Sequence, residues 1–167
     1  SCLKLLFLRG DLQDDTVTPA SQTPRLLTEW LRLAAELPIE QARKLLAQVR
    51  QELPYTDPQA NRAALRLFAV AGNWQDIPAL AQFTEHSSQD PALSHSARIA
   101  IRDLLRDPIQ LDAATAAWNP NASLGQATAF AIHDRISLLV AEVLPSLNTA
   151  LAAKRLLDYV SYASETV

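Results

Sequence analysis

The chain reads Asp57-Pro58-Gln59-Ala60-Asn61-Arg62-Ala63-Ala64-Leu65, and 33 residues later it reads Asp90-Pro91-Ala92-Leu93-Ser94-His95-Ser96-Ala97-Arg98. In both copies an Asp-Pro step directly precedes an alanine-rich segment with apolar residues at helical spacing. A further helical start, Asn73-Trp74-Gln75-Asp76-Ile77-Pro78, lies between the copies. Self-similarity at this period is typical of paired helices stacked in an array, so this stretch predicts a helical-repeat core.

The composition of the whole chain agrees with that prediction. A hydrophobic fraction of 49% and a charged fraction of 20% are ordinary for a globular protein. Leucine and alanine are abundant, glycine occurs only 3 times, and β-branched and aromatic residues are too scattered for strands. We therefore predict an all-α fold of stacked antiparallel helix pairs, an α-solenoid or a helical bundle, with about eight helices.

Apolar periodicity, together with proline and glycine stops, places these helices along the chain. Thr23 is expected to cap the first helix, and Ala60, Ala64, Leu67, Phe68 and Ala71 are expected to form the buried stripe of the third. The first two helices, joined by a very short turn at Pro38, should pack as an antiparallel hairpin. The step Asp107-Pro108 is interpreted as the end of the fifth helix. The predicted helices begin near Pro24, Pro38, Pro58, Gln75, Pro91, Pro108, Leu124 and Leu147.

The predicted domain organisation is simple. Residues 1–24 form an N-terminal apolar segment and a loop, and residues 25–167 form a single helical-repeat domain. The loop-forming residues 119–123 precede a region without a third copy of the repeat. We therefore expect C-terminal capping helices from about residue 122.

Residues 57–107 resemble the HEAT repeat family, in the short form shared with bilin-lyase-like proteins. The resemblance implies stacked helix pairs and says almost nothing about activity. The second copy departs from the first where Ser94-His95-Ser96 replaces Asn61-Arg62-Ala63. The matching residues are Asp57-Pro58, Arg62-Ala63-Ala64-Leu65, Gly72-Asn73, Ile77-Pro78-Ala79-Leu80, Asp90-Pro91 and Ala97.

Helical arrays usually present surfaces to partners, which favours a non-catalytic scaffold or adaptor that binds a protein, as part of a larger chain or complex. Five arginines at helical spacing form the candidate partner-binding surface, and a stacked array would bring them into one basic ridge. Some HEAT-like proteins bind DNA in that way, which makes nucleic-acid binding an alternative. The plainer interpretation is surface arginine paired with Asp103, Asp107 and Glu85. The five are Arg62, Arg66, Arg98, Arg102 and Arg106.

A metal-dependent phosphohydrolase of the HD type is the enzymatic alternative. His133-Asp134 resembles that family's dipeptide, and His95 and Asp158 flank it in the required order; imidazole and carboxylate groups suit divalent metals. Arg135 follows the pair where the family pattern would have an aliphatic residue and then glycine. The simpler interpretation is a surface histidine beside a solvated charge pair. Without a glycine-rich phosphate loop or a catalytic triad, we predict no enzymatic activity and no cofactor.

Charge and cysteine content narrow the remaining possibilities. A formal net charge of -3 gives the chain as a whole no long-range attraction to nucleic acid. The single cysteine, Cys2, excludes an internal disulfide, which slightly favours a soluble, cytoplasmic protein over an exported one.

Ser1-Cys2 could end a lipoprotein signal with Cys2 acylated, but we prefer the tail of a truncated helix. No transmembrane segment is expected, and the lack of methionine suggests a processed chain or a piece of a longer one.

Overall fold

A computed structural model of the chain describes residues 23–85, 90–118 and 127–165, except for the side chains of residue 85, residues 127–133 and residues 161–165. Across these ranges the fold is all-α, with eight α-helices and no strand, which confirms the predicted fold class. The helices are α1 (Pro24–Ala34), α2 (Ile39–Glu52), α3 (Pro58–Ala71), α4 (Ile77–Glu85), α5 (Pro91–Leu104), α6 (Pro108–Ala117), α7 (Ala127–Val143) and α8 (Ala150–Glu165).

An Asp-Pro step starts three of these helices. Asp57, Asp90 and Asp107 are the N-cap residues of α3, α5 and α6, each followed by proline in the first turn. The carboxylates accept hydrogen bonds from the backbone N–H groups of Gln59 at 3.1 Å, Leu93 at 2.9 Å and Ile109 at 2.9 Å. Each aspartate thereby satisfies a donor that the helix leaves unpaired.

The start of α1 has the expected residues but lacks a capping hydrogen bond from a side chain. Pro24 does occupy the first turn, but the side chain of Thr23 makes no capping hydrogen bond. Thr23 is thus the N-cap residue of α1, as predicted, but its hydroxyl takes no part in the cap. The rigid φ of Pro24 prepares this helix start without the hydroxyl's help.

The chain divides into two compact units, residues 1–72 and 73–167, and each is described by itself. In the first unit α1 packs mainly against α3 and only slightly against α2, so the predicted hairpin of α1 and α2 is not the main contact. The hydroxyl of Thr28 on α1 donates to Asp57 Oδ2 at 3.2 Å, which ties α1 to the start of α3. The predicted stripe of α3 is buried, and its alanines allow a neighbouring helix to approach closely.

In the second unit α4 and α5 pack along each other, and α7 contacts both of them. A 3-10 helix, Leu144–Leu147, follows α7 and connects it to α8, which also contacts α6. The largest fully buried side chains of this unit form its core: Ile77, Leu80, Ile101, Leu105, Ile136 and Leu144. This arrangement leaves a groove where α4, α5 and α7 meet at the surface.

The start of the second unit is a short 3-10 helix, Trp74–Asp76, that leads directly into α4. Asn73 accepts a hydrogen bond from Gln75 N at 2.9 Å, while the carboxylate of Asp76 accepts one from Asn73 N at 2.8 Å. This reciprocal pair is a capping box. The sequence placed a helical start near Gln75, within this 3-10 turn.

None of the helices in the described ranges combines the length and the apolar character needed to cross a membrane. Residues 1–22, which hold most of the predicted N-terminal segment and Cys2, lie outside the described part of the chain. The prediction of one domain over residues 25–167, with capping helices from about residue 122, stays a prediction.

Candidate functional site

The five arginines of the predicted partner surface lie in both units. Arg62 and Arg66 are on α3 of the first unit, where Arg62 is half-buried and Arg66 is exposed. In the second unit, Arg98 and Arg102 lie on α5, and Arg106 follows its end. Within each unit the helical spacing is as the sequence predicted. Whether all five form one ridge stays a prediction.

Arg102 and Arg106 share a single carboxylate. Arg102 donates to Asp103 Oδ1 from Nε at 3.1 Å and from Nη2 at 2.9 Å, and Arg106 Nη1 lies 3.4 Å from the same oxygen. These contacts match the pairing with Asp103 that the plainer interpretation expected. Asp107 instead caps α6, and the side chain of Glu85 lies outside the described residues. The carboxylate of Asp103 therefore offsets one of the two positive charges at this end of α5.

Arg98 has a different environment from its neighbours. Its Nη1 donates to the hydroxyl of Ser94, one turn earlier on α5, at 2.5 Å, and Ser94 is almost fully buried. On its other side Nε lies 3.4 Å from Glu142 Oε2 of α7. The Arg98–Glu142 pair is solvent-exposed and long, so its contribution to the free energy of unfolding is at most about 1 kcal/mol.

A groove beside Arg98 forms the candidate site. It has a volume of about 220 Å³ and lies among α4, α5 and α7. Leu139 in its lining is buried, whereas Leu138 is a large apolar side chain that is 66% exposed. The groove thus combines apolar surface with charged groups at one place. Its lining residues are Ala81, Thr84, Arg98, Arg135, Leu138, Leu139 and Glu142.

The exposure of Leu138 follows from the register of α7. Ile136, Leu139, Val140 and Val143 are all buried, and their spacing of three and four residues defines the core-facing stripe. Leu138 lies off that stripe, at a position where a polar residue would be expected on a helix with one buried face. The sequence contained this signal, since Leu138 is not part of the apolar periodicity of its helix. Among the described residues six other large apolar side chains are also exposed, so what sets Leu138 apart is its place in a groove with charged side chains.

Two other grooves show less evidence of a binding function. One in the first unit, about 400 Å³, has balanced charges: Arg25 and Arg32 against Glu29 and Asp57. Arg32 donates to Glu29 at 2.7 Å. Asp57 accepts hydrogen bonds from the hydroxyl of Thr28 and, as the N-cap of α3, from Gln59 N. The other, about 360 Å³, lies between the second 3-10 helix and α8 and has no charged residue in its lining. Neither points to a ligand of particular chemistry.

The residues of the alternative metal site lie on three different helices. His95 is exposed on α5, Asp134 is on α7, and Asp158 on α8 forms an ion pair with Arg155 at 3.6 Å. The side chain of His133 lies outside the described residues. Within the part of the chain that is described, no group of three or more histidine, cysteine, aspartate or glutamate side chains could hold a metal ion.

The carbonyl of Trp118, at the end of α6, joins three helices. It accepts hydrogen bonds from the hydroxyl of Ser137 on α7 at 2.7 Å and from that of Tyr159 on α8 at 2.8 Å. Burial raises the pKa of Tyr159 to about 12, against a smaller opposing effect of the nearby Arg155 charge. Arg155 in turn pairs with Asp112 of α6, which raises the pKa of its guanidinium. These contacts hold α6, α7 and α8 together and have no visible chemical role.

The comparisons with protein-family models, with curated proteins and with solved structures each found no match to this chain. The resemblance to HEAT repeats therefore stays a prediction. Any functional inference depends on the geometry of the groove and of the arginines around it.

Proposed function

We propose that this chain is a non-catalytic helical scaffold or adaptor that binds a partner protein, as part of a larger chain or complex. The observation that carries the proposal is the groove among α4, α5 and α7, where Leu138 is 66% exposed beside Arg98 and Arg135. Two arginines line this groove, and arginine is enriched in protein interfaces.

A protein partner is favoured over nucleic acid by the charge distribution. The chain has a net charge of -3, and Arg102 and Arg106 are both close to Asp103. Binding to duplex nucleic acid draws most of its affinity from several cationic side chains that neutralise phosphates. A groove that combines apolar side chains with charged ones of both signs is better suited to the side chains of another protein.

A capture experiment tests the proposal. The chain is immobilised and exposed to lysate of its own host, and the retained proteins are compared among the wild type, Leu138→Ser and Leu26→Ser. Leu26 is a matched control because it is a leucine, 49% exposed, on α1 of the first unit. Both variants replace an exposed leucine with a small polar residue, so neither should disturb the core.

We expect a specific protein to be retained by the wild type and by Leu26→Ser and to be lost from Leu138→Ser. Circular dichroism of the three proteins should be the same, which shows that the loss comes from the surface. Equal retention by both variants would contradict the groove as the binding surface. Retention of no protein by the wild type would count against the scaffold proposal itself.

A further inference from the structure

We draw no further inference here: the strongest candidate, the exposed face of α8 that bears Ala153 and Val160 beside the groove between α8 and the second 3-10 helix, carries nothing because nothing in the structure shows what covers it.

Discussion

Asn61 holds the backbone of Tyr55 through two hydrogen bonds. Asn61 Oδ1 accepts from Tyr55 N and Asn61 Nδ2 donates to Tyr55 O, both at 2.8 Å. Asn61 is buried in the first turn of α3, and the two bonds close the connection from α2 to α3. In the second copy of the repeat the corresponding residue is Ser94, which holds Arg98 instead. The same buried polar position fixes a loop in one unit and orients the groove's arginine in the other.

Replacement of Asn61 by alanine should lower the free energy of unfolding by about 2 kcal/mol, because Tyr55 N–H and C=O both lose a partly buried partner. Urea unfolding followed by circular dichroism measures the change. Gln59→Ala is the control, since Gln59 is exposed on the same helix and should shift the free energy by less than about 0.5 kcal/mol. Equal effects of the two substitutions would show that the Asn61 bonds do not stabilise the loop.

Tyr159 makes the stability of the second unit dependent on pH in the alkaline range. Burial raises the pKa of its hydroxyl from 10.0 to about 12, so the folded state holds the proton more tightly than the unfolded state. The stabilisation is complete below pH 10.0 and is lost as the pH rises toward about 12. Tyr159→Phe also removes the hydrogen bond to Trp118 O, at a cost of about 1 kcal/mol at neutral pH.

Urea midpoints of the wild type and of Tyr159→Phe, measured from neutral pH to pH 12, check this expectation. The difference between the two proteins should shrink over the interval in which the tyrosine ionises. Near-ultraviolet difference spectra should assign the late ionisation to Tyr159. A difference that is constant with pH would mean that the hydroxyl of Tyr159 titrates like an exposed one.

The shared carboxylate of Asp103 predicts weak binding to nucleic acid. Because Arg102 and Arg106 both lie against it, the wild type should bind duplex DNA no more tightly than about 10 µM at physiological salt. Asp103→Asn should strengthen binding at low salt, since it releases both arginines. Tight, salt-dependent binding of the wild type that weakens in Arg98→Ala and Arg102→Ala would support the nucleic-acid alternative and contradict the scaffold proposal.

Local signals in the sequence predicted most of the helices. The Asp-Pro steps at Asp57 and Asp90 are helix starts, as expected, because a capping carboxylate and a proline with a suitable φ act within a few residues. Asp107-Pro108 was expected to end the fifth helix and to be followed by a short sixth one, and Asp107 is the N-cap of α6. The same dipeptide therefore ends α5 and starts α6, as the sequence predicted.

The features that the sequence did not predict depend on contacts between distant residues. A short turn at Pro38 favoured packing of α1 on α2, but α1 lies mainly against α3, to which Thr28 also bonds. The groove brings together Ala81, Arg98 and Leu138 from three helices, and no local pattern contains that juxtaposition. Leu138 could be recognised as an apolar residue off the stripe of α7. Its position beside Arg98 could not be recognised.

Site-specific photocrosslinking in the native host tests the central claim most directly. A photoreactive phenylalanine analogue is placed at position 138 in one protein and at position 26 in another, both exposed leucine positions. The groove interpretation predicts a protein adduct from position 138 and none from position 26. The adduct from position 138 should disappear when the same protein also carries Arg98→Gln. Adducts of equal yield from both positions, or from position 26 alone, would contradict the assignment of partner binding to this groove.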